Sequence, residues 1–302
     1  MTHAFLIIAH GKWEQLKLLI KQLDDKDVDI FIHIDKKVKN PPIEELCSCA
    51  KISKVKIYQE YKVYWGSFEL VETELLLLKK AKKYNYDYYH LLSGMDLMIK
   101  PMSKTKDFFE NNKGFEFVHY DTEERLIKDK EIQRRTKLFH YFTNYRRRFK
   151  CKLINSLFTF LDRISMIIQM AIGIDRNKKY KEIIKYGSQW FSITDTFAKY
   201  VIDNKDKVYR IFKYTKCSDE LFIQTLLFNS NFKNKLYDKK FDNDCMANVR
   251  LIDISIRGKN GSPYTWKISD LDELTKTECL FARKFDMNID KEIVEKIIEL
   301  TK

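Results

Sequence analysis

Four groups of residues in this 302-residue chain set polar side chains of useful chemistry beside apolar runs. F-I-H-I-D-K-K at 31–37 brings Asp35 out of a buried-strand pattern, and V-Y-W-G-S-F at 63–68 joins Trp65 to Gly66. H-L-L-S-G-M-D at 90–96 ends on Asp96. The fourth group is C-terminal: Y-G-S-Q-W-F at 186–191, S-D-E-L-F at 218–222, G-S-P at 261–263 and L-F-A-R-K-F-D at 280–286. It supplies a carboxylate pair (Asp219, Glu220), an amide–indole pair (Gln189, Trp190), a turn hydroxyl (Ser262) and adjacent cations (Arg283, Lys284). A positioned carboxylate can take a proton from a hydroxyl, and fixed cations can neutralise an anionic leaving group. Each group also has a plainer use. Acids favour a helix N-terminus, tryptophans pack, and most of 56 Lys and Arg are solvated.

Other chemistries are poorly served. G-x-G-x-x-G and G-x-x-x-x-G-K-[ST] are absent, which disfavours a Rossmann dehydrogenase or P-loop enzyme. Asp-x-Asp triplets occur at 25/27, 27/29, 242/244 and 270/272, none directly after an apolar strand, so no metal site is expected there. His10 and His33 read as structural histidines. The six cysteines (47, 49, 151, 217, 245, 279) lack zinc spacing and suggest free thiols in a reducing cytosol.

The elements that must position these residues follow from periodicity. Residues 4–9, 28–34, 55–58, 87–92 and 115–119 read as strands, the first two fully buried; 12–23 has helical spacing. Ser67 is placed to cap a helix reaching about residue 84, with acids early and lysines late. Ser218 or Asp219 could cap a helix at 220–229 and so fix Glu220. Strand–helix alternation implies a parallel sheet with helical crossovers, whose ligands lie at the carboxyl ends of the strands. The residues to inspect are therefore His10–Gly11, 33–37 and 93–96.

The middle differs. Basic residues dominate 125–152, and 153–172 forms an amphipathic helix with Asn155, Thr159, Asp162, Arg163 and Gln169 on one stripe. With a net charge of +13 the chain favours acidic partners: nucleic acid, anionic lipid or a phosphorylated small molecule. No run reaches the roughly 18 apolar residues of a membrane span.

Taken in order, the H-[IV]-D-K, W-G, S-G-x-D, G-S-x-W-F, S-D-E and F-A-R-K-F segments resemble the core-2/I-branching β-1,6-N-acetylglucosaminyltransferase and peptide O-xylosyltransferase family, over roughly residues 4–290. With no transmembrane stem before the first strand, the pattern looks like a compact bacterial member. The resemblance implies a single α/β domain of GT-A type over 1–302, with a Rossmann-like, mostly parallel sheet flanked by helices and an insertion at about 125–175. It implies an inverting transfer of GlcNAc or xylose from a UDP-sugar to a hydroxyl acceptor, with no metal or other cofactor. Glu220 matches the family's base. Arg283 and Lys284 match residues that contact the diphosphate, and Ser262 another donor contact. Asp35 sits where the family meets the nucleoside, with Ile8 offering backbone to the base. Trp65 and Gly66 resemble a donor segment, and Gln189 and Trp190 a pair beside the sugar. Asp96, Asp219 and Arg250 are expected to support these, Arg250 by adding positive charge. The acceptor is expected to be a glycan or lipid-linked sugar of a surface polysaccharide, and residues 125–172 to dock on the inner face of a membrane. Packing of that helix on the core, or an oligomer contact, are alternatives. Two other functions compete. One is nucleic-acid binding through the basic run, whose aromatics match no binding motif. The other is a catalytically inactive sugar-nucleotide binder.

Overall fold

The computed structural model describes residues 1–254, 256–258 and 261–302. Nine strands form among them: β1 (His3–Ala9), β2 (Val28–Ile34), β3 (Val55–Tyr58), β4 (Tyr88–Ser93), β5 (Asp96–Met98), β6 (Phe117–Val118), β7 (Phe191–Thr194), β8 (Arg250–Ile252) and β9 (Phe281–Arg283). The central sheet has the order β3-β2-β1-β4-β7-β6, and a small sheet the order β5-β9-β8. β3, β2, β1 and β4 are parallel neighbours.

β1 is apolar along its whole length because both its faces are covered. Phe5, Ile7 and Ala9 join one core with helix Trp13–Leu23 and the C-terminal helix Lys291–Leu300. Ala4 and Leu6 join the other, with helices Glu69–Ala81, Asp195–Asp203 and Phe222–Phe228. The period-two alternation thus divides one strand between two cores. After β1 the chain first adds β2 and β3 on one side, then β4 on the other, so the strand order reverses between β1 and β4. That reversal opens a crevice at their carboxyl ends.

The central sheet is mostly parallel, as expected, with β7 antiparallel to β4 and β6. Two expectations need correction. Of 115–119 only Phe117–Val118 are strand, because Glu116 bridges to Leu236 instead. Ser67 does not cap the next helix. Its hydroxyl donates to the Tyr64 carbonyl at 2.7 Å, and the helix begins at Glu69.

All six cysteines are free, with the Cys245 and Cys279 sulfurs 3.3 Å apart. The helix Lys152–Ala171 forms where the amphipathic pattern predicts one. No helix among the described residues is long and apolar enough to cross a membrane.

Candidate active site

The segment 187–191, leading into β7, holds the two chemical groups together. Gly187 N–H donates to the Glu220 carbonyl at 3.0 Å. A Cβ at Gly187 would collide with the His119 carbonyl oxygen, so only glycine lets the segment pass this close. Gln224 clamps the same stretch by donating to the Ser188 carbonyl at 2.6 Å. Three residues further on, the Trp190 ring lies 4.6 Å below the Arg283 guanidinium, a cation–π contact.

Glu220 stands on the one-turn helix Ser218–Glu220. The expected cap is not there. The following helix starts at Phe222, and no side chain caps it. The turn is instead pinned from two sides. Cys217 N–H donates to the Gly66 carbonyl at 3.0 Å, and Arg135 Nη1 donates to Glu220 Oε2 at 2.7 Å. Gly66, at φ 75°, packs against the Cys217 sulfur, so the W-G segment and the acidic turn form one unit. Burial raises the Glu220 carboxyl, and Arg135 and Tyr186 pull it back down.

Behind Glu220 lies a buried acidic pair. Gln189 Nε2 donates to Glu74 Oε1 at 2.8 Å, and Glu74 also faces Asp219. Burial and mutual repulsion raise Glu74 well above the carboxylate range, and burial with the adjacent Glu220 raises Asp219. Glu74 Oε2, Asp219 Oδ1 and Ser218 Oγ are buried without hydrogen-bond partners. Gln189 therefore connects the segment to this acidic pocket.

The cations gather on the other side. Arg283 Nη1 donates to Asp96 Oδ1 at 2.7 Å and also to Ser93 Oγ. Asp96 is buried and accepts from Ser93 N–H at 2.8 Å, so it braces Arg283 from the start of β5. Lys284 Nζ donates to Ser262 Oγ at 2.7 Å. Burial and the neighbouring Arg283 lower the Lys284 ammonium, and Asp286 opposes them.

At the end of β2, Asp35 is buried and accepts from Lys37 N–H at 2.9 Å, with Lys37 Nζ 3.2 Å away. Lys37 in turn lies over Tyr64, beside the W-G segment. Trp65 is 61% exposed, with Arg147 stacked 4.7 Å over its ring.

Two of the expected residues are tied into the sheets. The Ile8 carbonyl accepts from Gly94 N–H at 3.1 Å, and Ile8 pairs with His33 and Ser93 on either side. Its backbone is held in the sheet at the carboxyl end of β1. Arg250 is buried between the two sheets and donates to the carbonyls of Asn248 (2.5 Å) and Phe191 (2.6 Å) and to Ser192 Oγ (3.0 Å). Its fork ties β7 to β8, and burial lowers it to about 9. At about 9 the guanidinium stays protonated near neutrality, and it faces Asp96.

Among the described residues no three His, Cys, Asp or Glu side chains gather as a metal site. Asp25 and Asp27 instead share Lys106, and Asp270 pairs with Arg257. His33 accepts from Tyr61 N–H at 3.1 Å, and burial lowers it.

Against known proteins, residues 3–276 match the model for the Core-2/I-Branching enzyme. The chain belongs to the Core-2/I-branching enzyme family. Xylosyltransferase 2 of Rattus norvegicus is 24% identical over 97% of this chain, and xylosyltransferase oxt of Drosophila pseudoobscura pseudoobscura 23% identical over 98%. Each alignment covers 33% of the relative, so the chain spans about a third of their length. The solved apo mouse xyloside xylosyltransferase 1 aligns over 93% of this chain and 97% of its own, at a TM-score of 0.39 and 8% identity. The family match ends before Arg283 and Lys284, whose placement here rests on β9 and its contacts with Asp96 and Trp190.

For this family member, sequence reasoning missed Arg135 and Glu74 as site residues. Arg135 is one cation in a long basic run, and Glu74 one of several acids on an ordinary helix. Neither carries a local signal, and only the fold brings them to Glu220 and Gln189.

Proposed function

We propose that the protein is an inverting glycosyltransferase that moves a sugar, GlcNAc or xylose, from a UDP-sugar to a hydroxyl acceptor without a divalent ion. The observation that carries this reading is segment 187–191, bonded to the Glu220 turn at one end and stacked under Arg283 at the other. Inversion is a single in-line displacement, which needs a base on one side of the anomeric carbon and charge neutralisation on the other. Glu220 is the base: its carboxylate takes the acceptor proton as the new bond forms. Arg283, Lys284 and the Ser262 hydroxyl hold the diphosphate and neutralise the charge that builds on the leaving UDP. Asp96 and Trp190 keep Arg283 in place through this change. Asp35 accepts from the nucleoside, and Trp65 and Gln189 border donor and sugar. The acceptor is a glycan or lipid-linked sugar, as in bacterial surface polysaccharide assembly.

Glu220→Gln tests the base directly. The amide keeps size and hydrogen bonding but accepts no proton, so transfer falls by about 10²–10⁴, while UDP still raises the unfolding temperature. Normal turnover by Glu220→Gln would remove this carboxylate from the mechanism.

A further inference from the structure

The helix Lys152–Ala171 is amphipathic, but it is mounted inside out. Asn155, Asp162 and Gln169, seven residues apart, lie on the stripe that faces the protein. Gln169 accepts from Phe139 N–H and donates to the Phe139 carbonyl, both at 2.8 Å. Asp162 accepts from Phe142 N–H at 3.4 Å and contacts His140 at 3.3 Å. Asn155 donates to the Phe149 carbonyl at 2.6 Å. These bonds satisfy the backbone of 139–149 and turn the opposite face outward. That face carries Leu153 (80% exposed), Leu157, Phe160 (58%), Ile167, Ile168 and, just past the helix, Ile172. An apolar stripe this long, left in water, marks an interaction surface.

Its edges say what covers it. Between this helix and Lys130–Lys137 runs a groove of about 430 Å3 whose charged lining is Arg134, Arg146, Arg163 and Lys216 against Glu131 and Asp162. Lys216 is paired with Glu131 at 2.5 Å, and Asp162 is buried beneath the helix. Arg134 and Arg163 have no ion-pair partner among the described residues, and neither do Lys150 and Lys152 at the helix start. A second copy docked through the same helix face would bring them no acid, since Asp162 is the only carboxylate of 152–171 and is buried. An anionic lipid leaflet would neutralise them.

We propose that this face docks on a bilayer containing anionic phospholipid, with the apolar stripe in the headgroup boundary and a lipid phosphate seated in the cationic groove. The groove adjoins the site. Lys216 lies one residue before Cys217 of the acidic turn, and Arg147 covers Trp65. Docking would hold Glu220 near the membrane surface, where a lipid-linked acceptor is presented.

The test is co-sedimentation of the full chain with vesicles of phosphatidylcholine alone and mixed with phosphatidylglycerol, without any sugar nucleotide. Failure here therefore leaves the transferase reading standing. The wild type is expected to bind the anionic vesicles at low salt at least tenfold more tightly than the neutral ones, and to weaken as salt rises. Leu157→Glu/Phe160→Glu should lose binding to both, while circular dichroism and the unfolding temperature stay unchanged. Arg163→Glu should lose about an order of magnitude on anionic vesicles only, since it reverses a charge at the surface. No binding to anionic vesicles at low salt, or unchanged binding by Leu157→Glu/Phe160→Glu, overturns the proposal. So does a lipid-free dimer that Leu157→Glu/Phe160→Glu converts to monomer, which would assign the face to a second copy.

Discussion

Arg135→Met removes the charge beside Glu220 while keeping an unbranched side chain of similar reach. The pair is close, Nη1 to Oε2 at 2.7 Å, with Arg135 13% and Glu220 33% exposed at the side chain. Unit charges about 4 Å apart interact by about 4 kcal/mol at an effective dielectric near 20. With a third of Glu220 in water, screening reduces this to about 2 kcal/mol, or about 30-fold in an equilibrium. The sign follows from the groups present. Burial already favours the protonated carboxyl, and Arg135 opposes it. Without the guanidinium the carboxyl keeps its proton to higher pH, so the base form is depleted most on the acid side of the profile. In Arg135→Met, kcat/KM for transfer should fall most there, by up to about 30-fold. Its acid limb should move to higher pH, and the rate should recover toward wild type in alkali. A purely structural role would depress the whole profile evenly. An unmoved acid limb would refute the electrostatic reasoning, and an unchanged rate would show that Arg135 does not control Glu220 at all.

Lys284→Ala should weaken UDP binding by about 1.5–3 kcal/mol, the range for a charge-assisted bond, as measured by titration calorimetry. EDTA should leave transfer unchanged; complete loss restored by Mn²⁺ would contradict the cation-based reading. Gly187→Ala should lower stability by about 3 kcal/mol in denaturant unfolding, because its methyl meets the His119 carbonyl and the backbone must shift. Glu74 holds its proton more tightly folded than unfolded, so the native state binds more protons and stability falls as pH rises above the ordinary carboxylate range. Glu74→Gln keeps the acceptor for Gln189, removes that proton linkage, and should flatten this decline in urea unfolding at graded pH.

Much was legible locally because it depends on local pattern. β1 and β2 are apolar on both faces, which only a covered strand can sustain. The helix Lys152–Ala171 shows a clean 3.6-residue period. The ordered short motifs pointed to the segments that converge, since Asp96, Trp190 and Arg283 each sit in one. Less legible were β5 to β8, each two to four residues long, too short for a period to show.

What the sequence alone determined is the inventory: which strands are buried, which helix is amphipathic, and which segments carry carboxylates and cations. Tertiary structure decided how these are used, because partners far apart in the chain set the roles. Arg250 and Arg283 are both arginines near apolar strands. One is spent on the carbonyls of Asn248 and Phe191, while the other stays at the crevice beside Asp96. The direction of Lys152–Ala171 was equally open, since its polar stripe could have met water. The unpaired backbone groups of 139–149 turned it inward, because buried N–H and C=O groups must find partners.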